Sequence, residues 1–222
     1  MKKIKLIAFF LIAICVTVNA QDTTTVYLNK NWKKVKPAKA LYMQNEIKLN
    51  SNSIKTELYN LDGKLLSSGY FVDDYMDSIW CIYNTGNDQY DTLNYSGIKE
   101  MYFDNNPKSQ FEDVFFIVKE MPVFGDTSTK EEMQGKIRQY IDTHMHYPIR
   151  AKQSKTQGKV YISFIIGPDG KIYKPTVALK VDKDLDFEAL RLARDFPDWK
   201  PGKHRDMNVA VSHTMPVTFE LK

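Results

Sequence analysis

Gly167-Pro168-Asp169-Gly170-Lys171 directly follows the apolar run Phe164-Ile165-Ile166, and a phosphate-cradling loop begins in the same way. Such a loop needs four residues between its glycines, a Ser or Thr after the lysine, and a following helix whose free N–H groups meet the phosphate. Here two residues separate the glycines, Ile172 follows Lys171, and Lys171-Ile172-Tyr173-Lys174 reads as a short strand. Nucleotide chemistry is excluded, and what is left is a hairpin turn: proline presets φ and the closing glycine is free to take positive φ. His144 and His146, in His144-Met145-His146-Tyr147-Pro148, could in principle share a metal ion. Residues two apart at a helix end point in different directions, and no cysteine or carboxylate pair stands nearby at ligand spacing. No metal and no other cofactor is expected. His204 and His213 stand alone, and no Ser-His-Asp or Cys-His arrangement can be picked out, so the expectation is a protein that is not an enzyme. Cys81, in Ser78-Ile79-Trp80-Cys81-Ile82-Tyr83, reads as a small buried strand residue and not as a nucleophile.

The 222 residues open on Met1-Lys2-Lys3-Ile4-Lys5, an apolar run from Leu6 to Val18 and the small-residue exit Val18-Asn19-Ala20. That pattern is a secretory leader over residues 1–20. The apolar run is shorter than the roughly 20 residues of a membrane-spanning helix; a retained inner-membrane anchor is the rival reading. Cys15 follows Ile14, where a lipid-attachment signal wants a small residue. Three of the 31 basic residues and none of the 27 acidic ones belong to the leader. The mature balance is therefore close to neutral, with no electrostatic footprint for nucleic acid or an anionic membrane. Lys30, Lys33, Lys34, Lys36 and Lys39 cluster, as a solvated charge run does. One cysteine, Cys81, remains after the leader, so an internal disulfide is excluded and the core must hold the fold.

The elements that would position these residues fall into two regions. Residues 22–113 are rich in Tyr, Asn and Asp, with short aromatic runs broken by turn residues, the pattern of a hairpin-rich all-β region. A faint repeat recurs at Tyr59-Asn60-Leu61-Asp62-Gly63, Tyr83-Asn84-Thr85-Gly86 and Tyr102-Phe103-Asp104-Asn105. Residues 114–222 differ. Val114 to Val118 reads as a buried strand, and Ser128 with Glu131 suggests a capping box. Met133, Ile137, Tyr140 and Ile141 give a helix one apolar face. Val160, Ile162, Phe164 and Ile166 alternate along a half-buried strand. A second helix opens on Asp182, Asp184 and Asp186, with Ala189, Leu192, Ala193 and Phe196 inward, and a last strand runs from Asn208 to Phe219. The fold class is α+β: a small antiparallel sheet with two helices in the order helix-strand-strand-helix-strand, preceded by the all-β region.

Tyr147-Pro148, Ala151, Gly158, Pro168-Asp169-Gly170, Ala189 and Trp199-Lys200-Pro201-Gly202-Lys203 occur in that order. Together they resemble the C-terminal domain of the TonB family, over about residues 114–222. The resemblance implies a periplasmic domain that binds the box peptide of an outer-membrane TonB-dependent transporter by strand addition. It also implies ExbB/ExbD-type inner-membrane proteins as drivers of energy-dependent transmembrane transport, and a homodimer as a further assembly. Carried over by position, the partner-binding residues are Asn208, Val209, Ala210, Val211, Ser212, His213 and Thr214, with His144, Met145 and His146 lining the approach. The alternative is a periplasmic interaction module that keeps the fold without proton coupling. Tyr59 to Phe71 is similar to degenerate MORN-type hairpin repeats.

Overall fold

The computed structural model describes residues 22–104 and 110–221; the expected leader lies outside them. Six strands, β1 (Thr23–Leu28), β2 (Tyr42–Lys48), β3 (Ser53–Asn60), β4 (Leu65–Val72), β5 (Tyr75–Asn84) and β6 (Gln89–Asn94), form an antiparallel meander in sequence order. Polar turns set the register. At the β3–β4 turn the Lys64 N–H donates to Asn60 Oδ1 at 2.7 Å, and Gly63 takes φ +80°. Alternation then puts Leu58, Phe71, Met76, Trp80 and Leu93 on one buried face. The Trp80 ring lies against Gly69 of β4, where a Cβ would stand 2.0 Å from it. Cys81 is half-buried on the opposite face, between Ser68 and Thr92.

The third member of the faint repeat is a helix end and not a strand end. Residues Ile98–Phe103 form α1, entered through Gly97 at φ +77°. Ile98 is fully buried, while the rings of Tyr102 and Phe187 lie 5.2 Å apart. Packing of this turn onto the C-terminal half overrides the aromatic composition that suggested a strand.

The C-terminal half contains β7 (Val114–Phe115), α2 (Lys130–His144), α3 (Ile149–Ser154), β8 (Gly158–Ile166), β9 (Ile172–Leu179), α4 (Lys183–Arg194), β10 (Gly202–His204) and β11 (Met207–Phe219). Its sheet runs β10-β11-β8-β9, and β7 pairs in parallel with β11. The mixed α+β class holds, with four α-helices among the described residues. Three particulars differ from the expectation. The strand read over Val114 to Val118 stops at Phe115, and Phe116 and Ile117 are 75% and 84% exposed. A short helix, α3, starts directly after Pro148, whose fixed φ suits a helix entry. The capping box on α2 lies one residue later: the Glu132 N–H donates to Thr129 Oγ1 at 3.1 Å, and the Ser128 and Thr129 N–H groups both reach the Glu132 carboxylate.

Every residue of α4 from Asp184 to Ala193 is buried. One side of the helix meets β8 and β9, and the other meets β5 and α1. Its charged residues Asp184, Asp186, Glu188 and Arg191 would mark a solvent face in sequence, but they are buried and paired inside the fold. One continuous core therefore runs from Phe71, Met76, Trp80 and Leu93 through Leu185, Phe187 and Leu190 to Val217 and Phe219. Polar links cross the same junction. Arg150 joins Asp184 (2.8 and 2.5 Å) to Asp74, Lys183 also meets Asp74, and Arg194 donates to the carbonyls of Asn94 and Ser96. Among the described residues no helix is long and apolar enough to cross a membrane.

Candidate functional site

The residues that carried the resemblance are scattered along the chain and gather at two places, Tyr147 and Gly158 beside Phe219 and Gly170 beside the Trp199 segment. Tyr147 donates its hydroxyl to the Thr156 carbonyl and packs edge-on against Phe219 at 5.7 Å. Pro168 and Asp169 shape a turn closed by the Gly170 N–H on the Gly167 carbonyl at 2.9 Å. Gly170 takes φ +82°, and a Cβ there would sit 2.0 Å from the Trp199 carbonyl oxygen. The Trp199 N–H in turn donates to the Gly170 carbonyl at 2.8 Å. The hairpin and the Trp199-Lys200-Pro201-Gly202 segment thus specify one another. Gly158 is needed for close approach to Val181, and Gly202 for close approach to Val211 and Pro122. These residues build the frame that presents β11.

On its inner side β11 pairs with β8 from Val211↔Ile166 to Phe219↔Gly158. Its outer side has three zones. Met207, Asn208 and Val209 pair with His204, Lys203 and Gly202 of β10, and Ala210 and Val211 pair with Val114 and Phe115 of β7. From Ser212 to Phe219 no second strand pairs among the described residues. Of the seven residues expected to accept a partner, Asn208, Val209, Ala210 and Val211 are already paired by the chain itself; Ser212, His213 and Thr214 are at the open part. The sequence concealed this because β7 and β10 are only two and three residues long, below the length at which alternation is visible. Pro216 fits this outer position, because an edge strand has a side with no ladder to break.

His144, Met145 and His146 are held by α4. The His146 N–H donates to Glu188 Oε1 at 2.8 Å, and Arg191 Nη2 donates to the His144 carbonyl at 2.7 Å. Glu188, with no exposed surface, also receives the Tyr95 hydroxyl at 2.6 Å and two bonds from Arg191 at 2.8 and 2.6 Å. Burial, with the Glu188 charge beside it, drives the Tyr95 hydroxyl well above its usual range. Burial works against the Arg191 charge, but its bonds to Glu188 outweigh that and hold the guanidinium charged. Burial also lowers the His146 imidazole, partly offset by Glu188. Tyr95, Glu188 and Arg191 are bonded to one another inside the fold, as buried charges require. Sequence reading missed Glu188, Arg191 and Tyr95; the i, i+3 spacing of Glu188 and Arg191 was the only trace of them.

An aromatic row connects the two sets of expected residues. His144 stacks on Tyr140 at 4.1 Å and Tyr140 on Phe196 at 4.4 Å; Trp199 lies 6.3 Å from Phe196 and 5.2 Å from His213. Burial against Phe164 and Trp199 lowers the His213 imidazole. Next to His213 a cleft of about 960 Å³ opens, walled by Met121, Pro122, Val123 and Met133, with Lys130, Lys200 and Lys203 at its rim. Glu120 and Asp126 pair with Lys203 and Lys200; such exposed pairs stabilise little.

Residues 143–221 match the family described as Gram-negative bacterial TonB protein C-terminal. The TonB match starts at the end of α2 and takes in α3, β8, β9, α4, β10 and β11. Protein TonB of Haemophilus influenzae is 33% identical over 94 residues, covering 40% of this chain and 35% of that protein. The chain thus spans about a third of the length of this curated relative. The solution NMR structure of the Helicobacter pylori TonB C-terminal domain is 24% identical, covers 44% of this chain and 98% of that chain, and superimposes with a TM-score of 0.33.

Proposed function

We propose that the TonB-like part of this chain, residues 143–221, is a binding module and not an enzyme, and that it accepts an extended peptide alongside β11. The observation that carries this reading is the outer edge of β11 from Ser212 onward, with which no second strand pairs among the described residues. A strand added there gains affinity from backbone hydrogen bonds and selectivity from its alternate side chains. His213 and the cleft beside it would meet those side chains. The partner is the box peptide of an outer-membrane TonB-dependent transporter, in the periplasm, and the role is in energy-coupled transport. ExbB/ExbD-type proteins are the inner-membrane side of such a system, and the hairpin sheet β1–β6 is a MORN-type array that braces α4. Few residues meet at this edge, so the interface is expected to bury less than about 1,200 Å² and to be weak and transient.

The test is a titration of the whole chain, ¹⁵N-labelled, with transporter N-terminal peptides at up to about millimolar concentration, a range suited to weak complexes. Amide shifts centred on Ser212, His213 and Thr214 are expected. Shifts confined to β1–β6, or none on β11, would refute strand addition there. A module that keeps the fold without coupling is the second reading. It is favoured by the enclosure of α4 beneath the hairpin sheet, and cellular crosslinks that recover only non-transporter envelope proteins would select it.

A further inference from the structure

From the pairing on β11 we infer that residues 114–117 are a displaceable strap, a piece of this chain that occupies part of the strand-accepting edge and yields to an incoming strand. The inference rests on reading β11 as that edge, and it adds how access to the edge is controlled. Val114 and Phe115 lie parallel to Ala210 and Val211, immediately before the open stretch that starts at Ser212. The strap and an added strand would compete for the same backbone groups of Ala210 and Val211.

The strap is built to let go. It pairs over two residues only, and parallel pairing is the less stable kind. Val114 and Phe115 are half-buried, and the next two side chains, Phe116 and Ile117, are almost entirely in solvent. Apolar burial is what makes opening costly, and a segment with this little of it opens at a small fraction of the global stability. Phe115 does stack on His204 at 5.1 Å, which sets its register on the edge. The two ends are fastened better than the middle. Phe111 packs edge-on against Tyr173 at 5.0 Å. On the other side Val118 is buried, Glu120 exchanges backbone bonds with Lys203, and Val123 does so with Lys200. Residues 114–117 can therefore lift while both flanks stay in place. Lifting would extend the open edge from Ser212–Phe219 to Ala210–Phe219. The exposure of Phe116 and Ile117 is then explained: the segment has the apolar, β-prone composition of a strand but is paired over only part of its length.

The strap itself supplies a probe that does not depend on knowing the natural partner, a synthetic peptide of residues 112–120, Glu-Asp-Val-Phe-Phe-Ile-Val-Lys-Glu. Three forms of the whole chain are compared in a Cys15→Ser/Cys81→Ser background. In the first, Val114→Cys/Ala210→Cys is oxidised to lock the strap; neighbouring strands lie about 4.8 Å apart, within the Cα separation that a disulfide tolerates. The second is the same protein reduced. The third is Val114→Pro/Phe115→Pro, which removes the strap's donors. Amide shifts at Ala210 and Val211, the two residues the strap covers, should be absent in the locked form and weak in the reduced form, because the tethered strap competes at high effective concentration. They should saturate at a peptide concentration at least about tenfold lower in the proline form. Equal binding by the oxidised and reduced forms overturns the strap, and so does the absence of binding in every form. The lock comparison stands even if the proline form does not fold. Transporter peptides in the same titration separate the two ideas. If the chain's own peptide follows the expected order and transporter peptides never bind, the strap stands and the transporter reading fails; the reverse pattern leaves the transporter reading and removes the strap.

Discussion

At the scale of single residues, the histidines that first suggested metal chemistry matter for what burial does to their protons. His213 lies against Phe164 and Trp199, and His146 beside Glu188; burial lowers both imidazoles below the ordinary value of 6.5. The unfolded chain then takes up protons at a higher pH than the folded one. The stability these groups contribute is fully present above about pH 6.5 and is lost as pH falls from there toward the folded-state values. Asp186 acts in the opposite direction at lower pH, since burial raises its carboxyl. The urea midpoint should therefore be flat from pH 8.5 to about 7.5 and decline from about pH 7 to 5. A His213→Gln variant should decline less steeply over that range, and an unchanged slope would remove His213 from the account. Neither histidine was legible in this role from sequence, because the Glu188, Trp199 and Phe164 contacts that define it come from residues far along the chain.

At the scale of elements, the sequence located α2 well but not its cap. Ser128 with Glu131 and Thr129 with Glu132 both satisfy the three-residue spacing of a capping box, and only the folded structure separates them. Thr129 accepts the Glu132 N–H, whereas Ser128 contributes its backbone N–H alone. Thr129→Ala should cost about 1 kcal/mol, and Ser128→Ala a few tenths or less, as for a surface substitution away from any cap. Chemical denaturation of the two variants decides the assignment, and equal losses would undo it. The alternating run from Val160 to Ile166 fixed β8 because one of its faces is buried and the other is not. Likewise Gly170 could be read as a turn residue from sequence. That it must be glycine because the Trp199 carbonyl occupies its Cβ position required the tertiary contact.

At the scale of the whole molecule, the hairpin sheet and the TonB-like half share one core and a buried polar junction, so they should unfold together. Trp80→Ala, in the sheet, should cost about 3–5 kcal/mol. Tyr95→Phe, which takes a hydroxyl from Glu188, should cost about 1.5–3 kcal/mol. Each should shift a single transition, seen alike by far-UV circular dichroism and by the methyl signals of Val217 in the far half. Two separated transitions, or a Trp80→Ala effect confined to the sheet, would show independent halves. By itself the sequence determined the α+β class, the hairpin turns, α2, β8 and the similarity of the C-terminal segment to the TonB family. Each of these depends on local turn chemistry, on periodicity along one element, or on a motif string, and all of them can be read within a few tens of residues. Only the tertiary structure decided that α4 is enclosed on both sides, that Glu188 joins the two halves, and that the chain covers part of its own β11 edge. Those outcomes depend on which distant surfaces meet, and two-residue pairings such as Val114–Phe115 on Ala210–Val211 leave no periodic signal in a sequence.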